Sequence, residues 1–301
     1  MNSSSDSAVI LHCMKAERRI VLAILRTLLF TSILTAIAVF SSMLAQAQEP
    51  SVRYASAKLS GRVERQASWP VEHTAGQFCI HSTVPINLFE NQLPYLTKLP
   101  TELKEVLQVF ISKETVHIVV MESREALDAY VRSILPSAPS RRALYIRHRG
   151  PGLVLTYFHP GWIQDVRHEC THALLDLSEL TLPVWQDEGL AEYFETTGDN
   201  PIRHAAHLES TRSQLRYGQV ADLQKLESMD STTGLNAKEY RDAWSVVAFL
   251  LHSSSETRAT FQEYLMDLQS KRAAGFLSHR LASKGTSWRE SFTDFYRRPT
   301  F

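Results

Sequence analysis

Apolar and polar positions along the chain change from a strand-like to a helical pattern near residue 160. Short apolar runs rich in β-branched residues predict strands over residues 77–82, 116–121, 144–147 and 153–158. Helical spacing of apolar residues predicts helices over residues 93–112, 124–135, 161–178, 184–197, 201–217, 220–229, 238–253, 256–272 and 287–296. Strands that precede helices predict an α+β fold, with a small mixed sheet followed by a mostly helical C-terminal part.

The N-terminal region has the organisation of an export signal. Three basic residues, Lys15, Arg18 and Arg19, come first. An apolar run over residues 27–44 follows, and Ala45-Gln46-Ala47 then supplies the small residues that a signal peptidase recognises. We therefore predict that residues 1–47 form a signal peptide and that the protein is exported, either to the periplasm or as a secreted protein.

Two alternatives remain for this region. The apolar run approaches the roughly 18 residues of a membrane span, so an uncleaved anchor is the alternative to cleavage before Gln48. Met14 is an alternative start, because the Lys that follows it opens an ordinary signal peptide. Residues 48–75 are polar and lack periodicity, which predicts a linker, and residues 76–301 are predicted to form a single folded domain.

Composition excludes one class of partner and leaves one question about cysteines. Lys and Arg total 32, as do Asp and Glu, so the formal net charge is +0 and no basic stripe could follow a phosphate backbone. We therefore expect no nucleic-acid partner. Of three cysteines, Cys79 and Cys170 lie in the predicted domain. They could pair in an oxidising compartment or remain two buried thiols on separate elements.

Two histidines four residues apart carry the most informative chemistry. His168 and His172 would lie one turn apart on a helix, so both imidazoles could reach one metal ion. Glu169 would project beside them, where a base for metal-bound water is needed. Apolar residues occupy roughly the opposite side of this helix: Ile163, Val166, Cys170, Ala173 and Leu177. The alternative is a solvated helical face without a metal.

A second acidic segment follows within twenty-five residues of this motif. If residues 184–197 are helical, Glu188, Glu192 and Glu195 lie within about 60° of one another around the helix. Like charges at that spacing repel, so this face requires a cation or imidazole donors nearby. A metal held by two histidines would satisfy that requirement.

Together, the two segments resemble the gluzincin metallopeptidases, which include the aminopeptidase N and thermolysin branches and small bacterial peptidase-like domains. His168-Glu169-Cys170-Thr171-His172 matches their zinc motif. Trp185-Gln186-Asp187-Glu188-Gly189-Leu190-Ala191 is similar to the Trp-Leu-Asn-Glu-Gly-Phe-Ala motif that brings the third ligand. The resemblance implies a zincin-like fold, zinc bound by His168, His172 and Glu188, Glu169 as general base, and a peptide or protein substrate.

The chain also departs from this family. Fifteen residues separate His172 from Glu188, a few fewer than in aminopeptidase N, which shortens the connecting loop. The Gly-x-Met-Glu-Asn motif of true aminopeptidases is absent upstream, so exopeptidase activity is not implied. The resemblance places residues 153–158 as the edge strand that pairs with an extended substrate.

Supporting roles are expected for several polar residues near these motifs. Tyr240 is a candidate to stabilise the oxyanion; the alternative is a helix tyrosine with its hydroxyl in water. Glu192 is predicted to accept the free ring N–H of a zinc histidine without touching the metal, and Glu195 to anchor the same helix. His204 and His207 are three residues apart next to Arg203, and we interpret them as a solvated face in preference to a second metal site.

The sequence therefore predicts an exported zinc hydrolase that acts on peptide bonds as a monomer or a weakly associated chain. One alternative is a zinc-containing module that binds extended peptides without turnover, although Glu169 beside an open coordination position argues against it. Another is an envelope scaffold without zinc, in which the glutamates pair with Arg167 or Arg212.

Overall fold

The structure, a computed structural model, describes residues 69–147, 151–198, 200–203, 205–229, 234–285 and 287–298. The predicted signal peptide and most of the predicted linker lie outside the described residues. The strands are β1 (Val71–Ala75), β2 (Phe78–Ser82), β3 (Val116–Met121), β4 (Ala143–Ile146) and β5 (Gly152–Tyr157). The helices are α1 (Leu93–Thr97), α2 (Leu99–Leu107), α3 (Arg124–Ile134), α4 (Trp162–Leu177), α5 (Val184–Phe194), α6 (His207–Arg216), α7 (Leu223–Glu227), α8 (Ala237–His252), α9 (Ser255–Gln269), α10 (Leu277–Ser283) and α11 (Trp288–Arg297). The predicted α+β class is confirmed.

The five described strands form one mixed sheet in the order β1-β2-β3-β5-β4. β2, β3 and β5 run parallel, whereas β1 and β4 pair antiparallel with their neighbours at the two ends. β5 is therefore an internal strand, and the expectation that residues 153–158 form the edge strand is wrong. β4 occupies that edge, because the chain turns back after β4 and inserts β5 between β4 and β3.

The first strand lies inside the segment predicted as a linker. Val71–Ala75 pairs with β2 along its whole length, so the fold begins at least five residues before Gly76. Glu72, His73 and Thr74 are all exposed on this edge strand. A strand with three consecutive exposed residues lacks the alternation of apolar and polar positions by which strands are recognised in a sequence.

Most predicted helices are present, with shifted ends. The predicted helix over residues 93–112 is instead two helices, α1 and α2, each with a proline in its first turn. Pro100 interrupts the helical hydrogen bonds between the two, because proline has no N–H to donate to the carbonyl oxygen of Leu96 and its ring clashes with that carbonyl. α10 was not predicted. In the described part of the chain, none of the helices combines the length and hydropathy that a bilayer crossing requires.

Helices cover both faces of the sheet. Phe78, Ile80 and Ile118 lie on the face of the sheet that α4 covers and belong to the main core. Alternate residues of the strands lie on the face that α3 covers, where Val119 on β3 and Leu155 on β5 pack in a second, smaller core. Successive side chains of a strand point to opposite faces of the sheet, so every second residue contributes to the apolar surface against which α4 packs.

α5 is held close to α4 on one side and α8 on the other. Gly189 permits the approach of α8, because an added Cβ would lie only 2.8 Å from the backbone oxygen of Ala243.

The two described cysteines lie on different elements and are both free thiols. Cys79 lies on β2, and Cys170 is buried in α4. Of the two alternatives for the cysteines, free thiols on separate elements are confirmed, although Cys79 is only half-buried.

Candidate metal centre

The histidine pair lies on the side of α4 that faces α5. Gly161 precedes the helix with a positive φ of 88°, a conformation that glycine adopts without strain. From there the helical period brings His168 and His172 to one face, while Val166 and Cys170 are buried in the main core on the other. The predicted amphipathic arrangement of this helix is therefore confirmed.

Both histidines point their Nε2 atoms at one carboxylate oxygen. Nε2 of His168 lies 3.5 Å from Oε2 of Glu188, and Nε2 of His172 lies 3.6 Å from the same oxygen. The three donor atoms all lie within 4.8 Å of one another. The side chains of His172 and Glu188 are only 4% and 3% exposed, whereas that of His168 is 12% exposed and gives the group its contact with solvent.

The Nδ1 atoms of the two rings contact two other carboxylates. Nδ1 of His172 lies 2.9 Å from Oδ2 of Asp187, and Nδ1 of His168 lies 3.1 Å from Oε2 of Glu195. A carboxylate at Nδ1 favours the tautomer with its proton there, which leaves the lone pair of Nε2 for a metal. The supporting carboxylates are thus Asp187, which sequence reasoning missed, and Glu195, for which only a role in anchoring the helix was expected.

Glu192 contacts a histidine outside the candidate metal centre. Its Oε2 lies 2.9 Å from Nε2 of His207, the first residue of α6, and a carboxylate oxygen of Glu192 also lies within 4.8 Å of a ring nitrogen of His168. The support of a zinc histidine by Glu192 stays a prediction. His207 is buried against Trp244, so the solvated face expected for it is wrong, while His204 lies outside the described residues.

The buried charges shift the pKa values of these groups strongly. Burial lowers the pKa of His172, but Asp187 and Glu188 outweigh it and raise that pKa to about 10. Burial also raises the pKa of Glu188, yet His172 and His168 hold it well below its usual range. Burial and the charge of Glu192 raise the pKa of Glu195 to about 7, despite its bond to His168. In the absence of another cation, the histidines themselves must supply positive charge to this acidic cluster.

Glu169 is held beside the histidines by the edge strand. The backbone N–H of Tyr145 on β4 donates a hydrogen bond to Oε2 of Glu169 at 2.8 Å. The side chain is buried, and burial raises the pKa of its carboxyl group above the usual range. A raised pKa brings a carboxylate closer to the proton affinity that a general base needs near neutral pH. The outer side of β4 therefore faces the candidate catalytic carboxylate.

Tyr240 lies in the first turns of α8, the helix that packs along α5. Its side chain is 2% exposed, so the alternative of a hydroxyl group in water is wrong. Its role towards an oxyanion stays a prediction.

In the alternative of an envelope scaffold without zinc, Arg167 and Arg212 were expected to pair with the glutamates. In the structure they contact other groups. Arg167 is buried and donates to the backbone oxygen of Phe194 and to the carboxylate of Glu102. Arg212 pairs with Glu209 and with backbone oxygens near the C-terminus. Neither of these described contacts neutralises the glutamates of α5, so the geometry does not favour a scaffold without metal.

The donor set fits zinc. Two imidazole nitrogens and one carboxylate oxygen are the ligands of many catalytic zinc sites, in which a fourth position is left open. The separations of 3.5 and 3.6 Å between Nε2 and Oε2 are long for hydrogen bonds. They are close to the edge of about 3.3 Å of a tetrahedron whose centre lies about 2.0–2.1 Å from each donor. Both histidines also have a carboxylate on their second nitrogen, as zinc-bound histidines usually do.

We predict that Asp187→Asn weakens zinc binding about 10- to 100-fold, because the neutral amide no longer fixes and polarises His172. Competition with a chromophoric chelator measures this affinity. Glu192→Gln is the matched control, since its partner is His207, and its effect should be smaller. If Glu192→Gln weakened zinc more than Asp187→Asn, the assignment of these two carboxylates would be reversed.

Neither a family model nor a curated protein matches this sequence. The interpretation of the site therefore depends on the geometry of its own residues.

Proposed function

We propose that the chain is an exported, zinc-dependent hydrolase that cleaves peptide bonds. One observation carries the proposal: the Nε2 atoms of His168 and His172 converge on Glu188, while both Nδ1 atoms contact carboxylates. In that arrangement each Nδ1 is held by a carboxylate, and each Nε2 is directed to the position that a metal would occupy. A purely structural zinc site would have no use for a buried carboxylate such as Glu169 next to it.

In the proposed mechanism, His168, His172 and Glu188 hold the metal and Glu169 moves the proton. Zinc would supply a Lewis acid that makes a water molecule acidic near neutral pH and polarises the carbonyl oxygen of the substrate. Glu169 accepts the proton from the attacking water and donates it to the amine nitrogen as the C–N bond breaks. The N–H of Tyr145 keeps one carboxylate oxygen in place, and burial keeps the proton affinity of the carboxylate high.

The edge of the sheet supports a peptide as the substrate. Tyr145 directs its N–H away from β5 and towards Glu169, so the outer side of β4 borders the reaction site. An extended peptide that adds to this edge would lie alongside the catalytic carboxylate, with its main chain paired to the strand. Tyr240 is proposed to donate to the developing oxyanion from α8.

Export is proposed from the N-terminal sequence alone. We expect mature protein recovered from the cell envelope to begin at or near Gln48, because Ala45 and Ala47 fit the small pockets of a signal peptidase. N-terminal sequencing of the envelope and membrane fractions checks this expectation. An intact N-terminus in the membrane fraction would favour the uncleaved anchor.

The test of the activity is cleavage of a peptide library by protein purified without added zinc, with the metal content of the same sample determined in parallel. Zinc of at least one equivalent together with cleavage that stops after chelation supports the proposal. Zinc without cleavage of any library member would favour the peptide-binding module, and absence of zinc would favour the scaffold.

A further inference from the structure

A second group of metal-binding side chains lies on the opposite face of the sheet from α4. Cys79 and His81 are two residues apart on β2, so both project from the same face. His117 on β3 is the direct register partner of Cys79 and projects from that face too. This is the face that α3 covers further along the strands, where Val119 and Met121 follow His117 with the same period of two.

The donor atoms of these three residues lie close together. Sγ of Cys79 lies 3.5 Å from Nε2 of His81, and that nitrogen lies 2.9 Å from Nδ1 of His117. The two imidazole rings are nearly parallel, at 4°. All three side chains are half-buried, which leaves a path for an ion while excluding bulk water from most of the group. A thiol and two imidazoles with ligand atoms within 4.8 Å form a compact donor set.

Neighbouring residues complete the surroundings that a bound ion requires. Glu72 on β1 is the register partner of His81, and its carboxylate lies 3.5 Å from Nδ1 of that ring. A carboxylate on the nitrogen away from the metal is the usual support for a ligating histidine. Trp69 covers His81 from the side, with 6.2 Å between the ring centroids, and also contacts the core beneath α3.

We propose that Cys79, His81 and His117 form a second metal site, which binds a transition-metal ion of the zinc and copper class. A thiolate with two imidazoles is a soft to borderline donor set that suits these ions, whereas Mg²⁺ and Ca²⁺ require oxygen ligands. Binding releases the proton of the thiol and removes the hydrogen bond between the two rings, which move slightly apart around the ion. The site ties β2 to β3 near the end of the sheet where β1 is added.

This site is independent of the proposed hydrolytic centre. It shares no residue with His168, His172 and Glu188, and it lies on the other face of the sheet. It also contains sulfur, which the hydrolytic centre lacks. An experiment that detects a metal–sulfur bond therefore reports on this site alone, whether or not the chain is a hydrolase.

The experiment is a titration of the full chain with Co²⁺, followed by optical absorption. Every sample carries Cys13→Ala, so that only Cys79 and Cys170 could provide a thiolate. We expect a thiolate-to-cobalt charge-transfer band in the near ultraviolet; in His168→Ala protein, which lacks the other proposed site, the band should saturate at one equivalent per chain. Zn²⁺ in excess should remove the band, and Mg²⁺ should leave it unchanged, because Mg²⁺ does not compete for sulfur.

Two cysteine variants form the matched pair. Cys79→Ala should eliminate the band, whereas Cys170→Ala, which removes the thiol buried in α4, should retain it. His81→Ala keeps the thiol and loses one imidazole, so its Co²⁺ affinity should fall by more than about tenfold. Far-ultraviolet circular dichroism of each variant verifies the fold, and His168→Ala should leave the band intact.

Absence of the band in the protein with both cysteines intact would overturn the proposal. So would a band that survives Cys79→Ala or disappears in folded Cys170→Ala. As a second readout, Zn²⁺ should raise the Tm of chelator-treated His168→Ala protein, and Cys79→Ala in that background should remove the increase. An equal increase in both proteins would also contradict the site.

Discussion

Glu169→Gln is expected to lower the rate of peptide hydrolysis by about 10²- to 10⁴-fold while the protein keeps its zinc and its fold. The glutamine amide has nearly the same shape as the carboxylate and can still accept the N–H of Tyr145. It cannot accept the proton of the attacking water, so the chemical step loses its base. Single-turnover cleavage of a peptide found in the library measures the chemical step without product release.

The matched control is Glu263→Gln, which makes the same chemical change at an exposed position of α9. This variant should cleave as the wild type does. Zinc content and circular dichroism of both variants must equal those of the wild type for the comparison to hold. Unchanged hydrolysis in zinc-loaded Glu169→Gln would exclude Glu169 as the base and end the mechanism proposed above.

The second large effect is expected at the metal ligands. Glu188→Ala removes one of the three proposed protein ligands of zinc and leaves the Nε2 atoms of His168 and His172 without their shared carboxylate. In the Cys79→Ala background, which lacks the second proposed site, we therefore expect the purified variant to contain almost no zinc and to be inactive. His168→Ala and His172→Ala should lose zinc in the same way, because two remaining ligands do not hold a catalytic zinc ion. Elemental analysis after gel filtration measures the content.

Glu263→Ala is the control for the effect of removing a glutamate side chain elsewhere in the helical region, and it should retain zinc. Full zinc in Glu188→Ala would favour a different ligand set, in which Glu192 and Glu195 join His168. His168, Glu192 and Glu195 also have donor atoms within 4.8 Å of one another. In that event His172→Ala should retain zinc as well, which distinguishes the two ligand sets.

The local part of the site could be predicted from sequence because one helix carries it. His168, Glu169 and His172 owe their relative positions to the helical period, and the buried residues behind them follow from the same period. Glu188 required the second motif and the family resemblance, since its position depends on how two helices pack. The convergence of the three donor atoms agrees with that expectation.

The supporting carboxylates could not be predicted because their partners depend on the packing of α4, α5 and α6. Glu192 is one turn from Glu188, so helical geometry alone pointed to it, and Asp187 was not considered. In the structure α6 places His207 against Glu192, and α5 packs against α4 so that Asp187 lies beside His172. The spacing of residues within one helix does not determine how two helices cross.

The sheet shows the same limit. The strands themselves are recognisable from their apolar runs, but their order is decided by pairing between distant segments. β5 appears as an edge strand only until the antiparallel partner β4 is placed outside it. The pairing of Cys79 with His117 across β2 and β3 likewise could not be inferred without the register.

The central claim is that zinc at His168, His172 and Glu188 makes this chain a peptide hydrolase. The most direct measurement adds zinc stepwise to chelator-treated Cys79→Ala protein, which lacks the second proposed metal site, and follows cleavage of a library peptide at each step. We expect cleavage to be negligible without metal, to increase in proportion to added zinc, and to saturate at one equivalent per chain. Cleavage that is already complete in the metal-free protein, or that stays absent at one bound equivalent of zinc, would contradict the claim.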